Sequence, residues 1–191
     1  MTRPVRPDAR LWALLLAALA ALTAIAGGCG DDDDDAGSTA SADSYVSDMC
    51  TAISDMGTVI SDGQDEIGQA TDATPEEARD LLVSFFEDAG AAVESARGAI
   101  DDAGVPDVED GEQVAGAISS AFAEMQTILE DGVSEAQELS TESIAEFNAA
   151  AQELGSTVET SGEQINESLQ EVGDNEELSA AAQDSEACQG I

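Results

Sequence analysis

From Val46 onward, hydrophobic residues recur at steps of three and four. Val46, Met49, Cys50, Ile53, Met56, Ile60 and Ile67 form a first stripe, the spacing of a helix with one apolar face. A second opens at Thr74-Pro75-Glu76-Glu77: Thr can cap, Pro suits the first turn, and Glu77 can close a capping box. It runs through Ala78, Leu81, Leu82, Phe85, Ala89, Val93, Ala96 and Ile100 and stops at Gly104-Val105-Pro106. Val114, Ile118, Phe122, Met125, Leu129, Val133, Ala136 and Leu139 make the third. Ile144, Phe147, Ala151, Leu154, Val158, Ile165, Leu169 and Val172 make the fourth, which Gly173-Asp174-Asn175 breaks. A weak helix is expected from Glu176 to Ala187. No Gly or Pro marks the boundary near Ser140, so the third and fourth stripes also fit one long bent helix.

Such helices are not stable alone in water, and burying their faces together predicts an all-α antiparallel bundle of about four long amphipathic helices. The bundle is expected over residues 45–172, with a tail at 173–191 that holds the short helix. The apolar content is largely Ala, while β-branched and aromatic residues are too sparse for a sandwich. The interior glycines Gly90, Gly98, Gly116, Gly132, Gly155 and Gly162 each cost up to about 1 kcal/mol relative to Ala. They mark either close helix contacts or a loose bundle.

The chain ahead of the bundle reads differently. Met1 to Arg10 carries Arg3, Arg6 and Arg10 against Asp8, and Leu11 to Ile25 has no charge. A basic start, a short apolar stretch and small residues behind it are the marks of a secretory signal peptide. The tetrapeptide Ala26-Gly27-Gly28-Cys29 resembles the bacterial lipobox, in which the Cys sulfur is joined to a diacylglycerol and the chain is cut before the Cys. The family usually carries Leu where Ala26 stands. The resemblance implies that residues 1–28 are a lipoprotein signal peptide and that Cys29 holds the protein to the extracytoplasmic face of the cell membrane. Cleavage after Ala24-Ile25-Ala26 would release a soluble protein instead, and the apolar run falls short of the roughly 20 residues of a membrane span. Gly30 to Ser44 (GDDDDDAGSTASADS) holds no apolar residue larger than Ala. With Cys29 it is expected to form a disordered acidic tether over residues 29–44.

Charge then narrows the function classes. Removal of residues 1–28 takes three of the five basic residues and one of the 42 acidic ones. Arg79 and Arg97 are left against 41 carboxylates, a net charge of −39, with no Lys and no His. Such a chain repels phosphate backbones, which excludes nucleic acid, and the partners it suits are cationic proteins or peptides, metal ions or another envelope component. Solvated acidic faces that keep a sparse-cored helical protein soluble, as salt adaptation also selects, account for the charge without any partner. Without His or Lys there is no Ser-His or Cys-His pair, no Schiff-base Lys and no imidazole ligand. Two cysteines do not make a structural zinc site, and no Gly-rich phosphate loop with its Lys is present. Laid on a calcium-binding loop, Asp32, Asp34 and Gly37 match, but Ala36 fails and Asp43 stands where a bidentate Glu belongs. No catalytic residue, metal site or cofactor is expected, and the chain reads as not an enzyme. Arg79 and Arg97 are expected to pair with carboxylates one turn away, such as Glu76 and Glu94.

With Cys29 capped by lipid, Cys50 and Cys188 remain. Exported proteins meet oxidising conditions in which paired cysteines persist. Four antiparallel helices return the chain to the end where Cys50 lies, so a disulfide between Cys50 and Cys188 is expected; two separately buried thiols are the alternative. The stretch Tyr45-Val46-Ser47-Asp48-Met49-Cys50-Thr51-Ala52 resembles the opening of a diffuse group of helical secreted lipoproteins from high-GC Gram-positive bacteria. In that group an aromatic residue shortly precedes a Cys and a second Cys falls near the end, as Cys188 does. The resemblance implies architecture and no activity. Two functions follow as expectations. One is a membrane-tethered acidic bundle acting by contact with another envelope component. The other is a module that binds a lipid or other apolar ligand in its core.

Overall fold

A computed structural model describes residues 39–173 and 175–189. The signal-like segment, Ala26-Gly27-Gly28, Cys29 and the Asp31–Asp35 run lie outside the described residues. In chain order the elements are β1 (Thr39–Ala40), α1 (Ala42–Gln69), α2 (Pro75–Ala103), β2 (Val105–Pro106), α3 (Gly111–Glu138), α4 (Ile144–Gly173) and α5 (Glu176–Asp184). The described chain is therefore four long helices and a short one, with one two-stranded parallel pair.

Local chemistry sets the helix starts. Ser41 caps α1, its hydroxyl accepting from the Ser44 N–H at 3.2 Å. Thr74 and Glu77 form the reciprocal capping box at α2, the Thr74 N–H donating to the Glu77 carboxylate at 2.8 Å. At α4 the Ser143 hydroxyl accepts from the Glu146 N–H and donates to its carboxylate. This Ser-x-x-Glu start ends the ambiguity near Ser140: α3 stops at Glu138 and α4 is a separate helix. Asn175 caps α5 through the N–H groups of Glu177 and Leu178. Gly104, at φ 83°, takes the left-handed turn that closes α2, a conformation that costs a glycine little.

The described chain is ordered before Tyr45. Thr39 and Ala40 pair in parallel with Val105 and Pro106, and the Asp107 N–H donates to the Ala40 carbonyl at 2.7 Å. The tether expected through Ser44 thus gives way to structure by Thr39. A strand pair held by backbone groups needs no apolar side chain, so composition alone does not reveal it.

Close packing joins α1 to α2, α2 to α3 and α3 to α4, and α5 lies on α1. The seam between α1 and α4 is not among these close-packed pairs of the described residues. One end of the molecule is clasped by several ties. There the strand pair sets the start of α1 beside the end of α2. The Asn175 side chain donates to the Glu109 carbonyl, setting the end of α4 beside the start of α3. A single apolar core runs through the helices, with Tyr45, Val46, Cys50, Val93 and Ala136 fully buried.

Three details depart from the sequence reading. Ile144 is 52 % exposed although it fits the fourth stripe; it is the first residue of α4. Arg79 pairs with Asp80 at 3.2 Å and Arg97 with Asp101 at 3.7 Å, in place of Glu76 and Glu94. For Arg97 the spacings of three (Glu94) and four (Asp101) both reach one face, so spacing does not choose between them, whereas Arg79 turns its guanidinium to the exposed carboxylate of its chain neighbour, outside the one-turn rule. The last helix ends at Asp184, three residues before Ala187.

Candidate functional site

At the clasped end, Cys50 and Cys188 meet at disulfide-bonding distance, with Cα atoms 5.4 Å apart across 138 residues of sequence. Both are buried. Cys50 is placed by α1, and Cys188 by the turn after α5, where the Ser185 hydroxyl accepts from the Ala187 N–H. Tyr45 lies fully buried five residues before Cys50 on α1, and its hydroxyl has no hydrogen-bond partner among the described residues. Burial, with a smaller contribution from the negative charge of Asp101, pushes its pKa up to about 12. Asp48, on the same helix, has its carboxyl raised by partial burial.

The other end holds a cavity of about 280 Å³. It lies between the later half of α1 (from Ile60), the earlier half of α2 (Leu82 to Ala89), the later half of α3 (Met125 to Leu129) and the stretch of α4 from Ala151 to Ile165. Its wall is almost wholly apolar. The space exists because small residues stand where larger ones would fill it: Ala89, Ala151, Gly155 and Gly162 all border it. An engineered apolar cavity of about 150 Å³ is enough to admit benzene, and ligand sites begin near 300 Å³.

Two neighbouring aromatic rings shape one wall. Phe85 and Phe86, consecutive on α2, sit edge to face with centroids 5.5 Å apart. Phe85 lies over Gly63 of α1, where an added Cβ would come within 2.7 Å of the ring. Phe86 lies over Gly132 of α3, where the same atom would come within 2.8 Å. The two rings thus each occupy a glycine notch on a different neighbouring helix, and both line the cavity.

Three polar side chains join the lining: Gln64 and Asp65 from α1 and Glu159 from α4. Asp65 is exposed and Glu159 half-buried, so the cavity reaches solvent on the side where α1 and α4 adjoin. Neither arginine is in the lining. The apolar stripes already contain most of the lining, Ile60, Leu82, Phe85, Met125, Leu154 and Ile165 among it, but they pass over Phe86, Ile128, Asp65 and Glu159. The adjacent pair Phe85-Phe86 was the available signal, because two consecutive aromatic residues on one helix must face two different neighbours.

Among the described residues, no group of three or more Asp, Glu, Cys or His is placed to hold a metal ion. No described helix is long and apolar enough to cross a membrane. Comparison with protein-family models, with curated proteins and with solved structures returns no match to this chain.

Proposed function

We propose that this chain is a lipid-anchored, non-catalytic protein of the bacterial envelope whose antiparallel four-helix bundle takes up an apolar ligand in its lumen. The observation that carries the reading is the cavity of about 280 Å³ bordered by all four long helices. A bundle of this size normally closes its core to the density of an organic crystal. A void lined by Leu, Ile, Met and Phe forfeits dispersion contacts on every wall, and a ligand of matching shape restores them. The export reading supplies the setting. A basic-then-apolar start followed by Ala26-Gly27-Gly28-Cys29 fits an anchor of two or three acyl chains, which holds where one is marginal.

Two measurements test this. Native mass spectrometry of the protein purified from its own membranes should show a bound apolar small molecule. Cys29→Ser should move the protein from the membrane to the soluble fraction. If the wild-type protein is already soluble with its N-terminus at Gly27, the anchor is wrong. If the bundle carries nothing and takes up no apolar probe, the ligand reading is wrong, and contact with a cationic envelope component becomes the better account of the acidic surface.

A further inference from the structure

Resting on the reading of the cavity as a ligand site, we propose that its occupant is an amphiphile with one short apolar chain and a cationic head, the head lying between Asp65 and Glu159. Size argues for the chain. A space of about 280 Å³ is roughly twice the cavity that admits benzene. It suits one chain or one small ring system, not the paired chains of a phospholipid. The wall offers that chain Ile, Leu, Phe and Met surface, each buried CH₂ contributing about 0.8 kcal/mol.

Charge argues for the head. The polar members of the lining are one amide and two carboxylates. The carboxylates come from α1 and α4, a pair not among the close-packed helix pairs of the described residues. Asp65 is exposed and Glu159 half-buried, so the pair marks the solvent side of the cavity and not its floor. Arg79 and Arg97 pair elsewhere on α2 and leave these carboxylates uncompensated. An anionic head, such as a fatty-acid carboxylate, would approach two like charges on a surface already strongly negative. A cationic head would meet local attraction at the mouth and long-range attraction during approach. The neutral Gln64 adds a donor and an acceptor for either head.

The experiment compares three probes with the same tail on the mature chain, each below its aggregation concentration: decyltrimethylammonium, decyl maltoside and decanoate. Calorimetric titration at low ionic strength should show the cation bound at least about tenfold more tightly than the anion, a difference of ~1.4 kcal/mol. The neutral probe should fall between them, and added salt should narrow the gap. Tetramethylammonium, which has the head without the tail, should not compete. Decyl maltoside should displace the cationic probe; if it cannot, the cation sits on the acidic surface and the proposal is overturned. In the double variant Asp65→Asn/Glu159→Gln the cation–anion gap should shrink; a gap as wide as in the wild type overturns the head-group assignment. These carboxylates lie at the rim, and their neutralisation removes charge without removing core. If all three probes bind alike, the cavity is a ligand site and the head-group assignment falls. If none binds, the reading beneath it falls as well.

Discussion

Replacing glycines with alanine, one helix at a time, tests the packing that creates the cavity. Gly57, Gly98 and Gly116 lie on α1, α2 and α3, are exposed, and have nothing within 4 Å of an added Cβ. Alanine at each should remove unfolded-state freedom and gain about 0.5–1 kcal/mol. The sites are on different helices, so the triple variant should gain about 2 kcal/mol by simple addition. For a domain of this size that is a rise in melting temperature of roughly 4–8 °C. Gly132→Ala should behave oppositely. Its Cβ would stand 2.8 Å from the Phe86 ring, whereas carbon atoms rest at about 3.5–4.0 Å, so the ring must retreat by about 1 Å. Overpacking of this kind costs about 1–3 kcal/mol, and the alanine propensity gain offsets part of it. The net expectation is a loss of about 1 kcal/mol. Because Phe86 borders the cavity, its retreat should also lower the binding of an apolar probe. Urea unfolding followed by circular dichroism gives each free energy, with an unchanged slope showing that only stability moved. If Gly132→Ala stabilises as much as Gly98→Ala and leaves probe binding intact, the ring is not seated in the glycine notch and the reasoning fails.

Three further outcomes are expected. Alkylation of the unfolded mature protein without reductant should leave Cys50 and Cys188 unlabelled; Cys188→Ser, by opening a loop of 138 residues, should cost up to about 5 kcal/mol on the chain-entropy model. Tyr45→Phe removes a buried hydroxyl that has no partner among the described residues, so it should be neutral or stabilising, by up to about 1 kcal/mol; a loss of several would mean that the hydroxyl is hydrogen-bonded. Stability should rise with salt at neutral pH, and should peak in mild acid. The raised Asp48 carboxyl contributes stability that is full below its unfolded pKa and lost as pH rises through its folded one. The lowered Glu77 carboxyl, held by the Thr74 N–H and hydroxyl, contributes stability that is full above its unfolded pKa and lost as pH falls through its folded one. A melting temperature indifferent to both salt and pH would contradict this.

The helices were legible because each buries one face, and a buried face leaves a stripe of period near 3.6. The start of α2 was legible for a local reason: Thr74 and Glu77 satisfy each other's backbone without help from the rest of the fold. Ser143 and Glu146 carry the same signature, yet a search for Gly and Pro passes over it. Placement of the rings was not legible. Whether Phe86 packs into Gly132 depends on which residue of α3 faces it, a property of two helices together. The same holds for the glycines. Gly98 and Gly132 are indistinguishable in one dimension, while in the fold one faces solvent and the other an aromatic ring. The cavity is legible in the sequence only as an excess of Ala and Gly, which fits a close contact as well as a void.

The clasp at one end fixes which way the molecule points. Thr39, the first described residue, lies beside the end of α2, at the clasped end. The cavity begins near Ile60, 18 residues into α1, or about 27 Å along its axis at 1.5 Å per residue. If the proposed anchor holds the protein by the clasped end, the disulfide lies nearest the membrane and the cavity stands off from it, with its rim at Asp65 and Glu159 facing sideways between α1 and α4. On the proposed reading, a rim held that far from the anchored end would meet small amphiphiles in the surrounding solution and not lipids still seated in the leaflet.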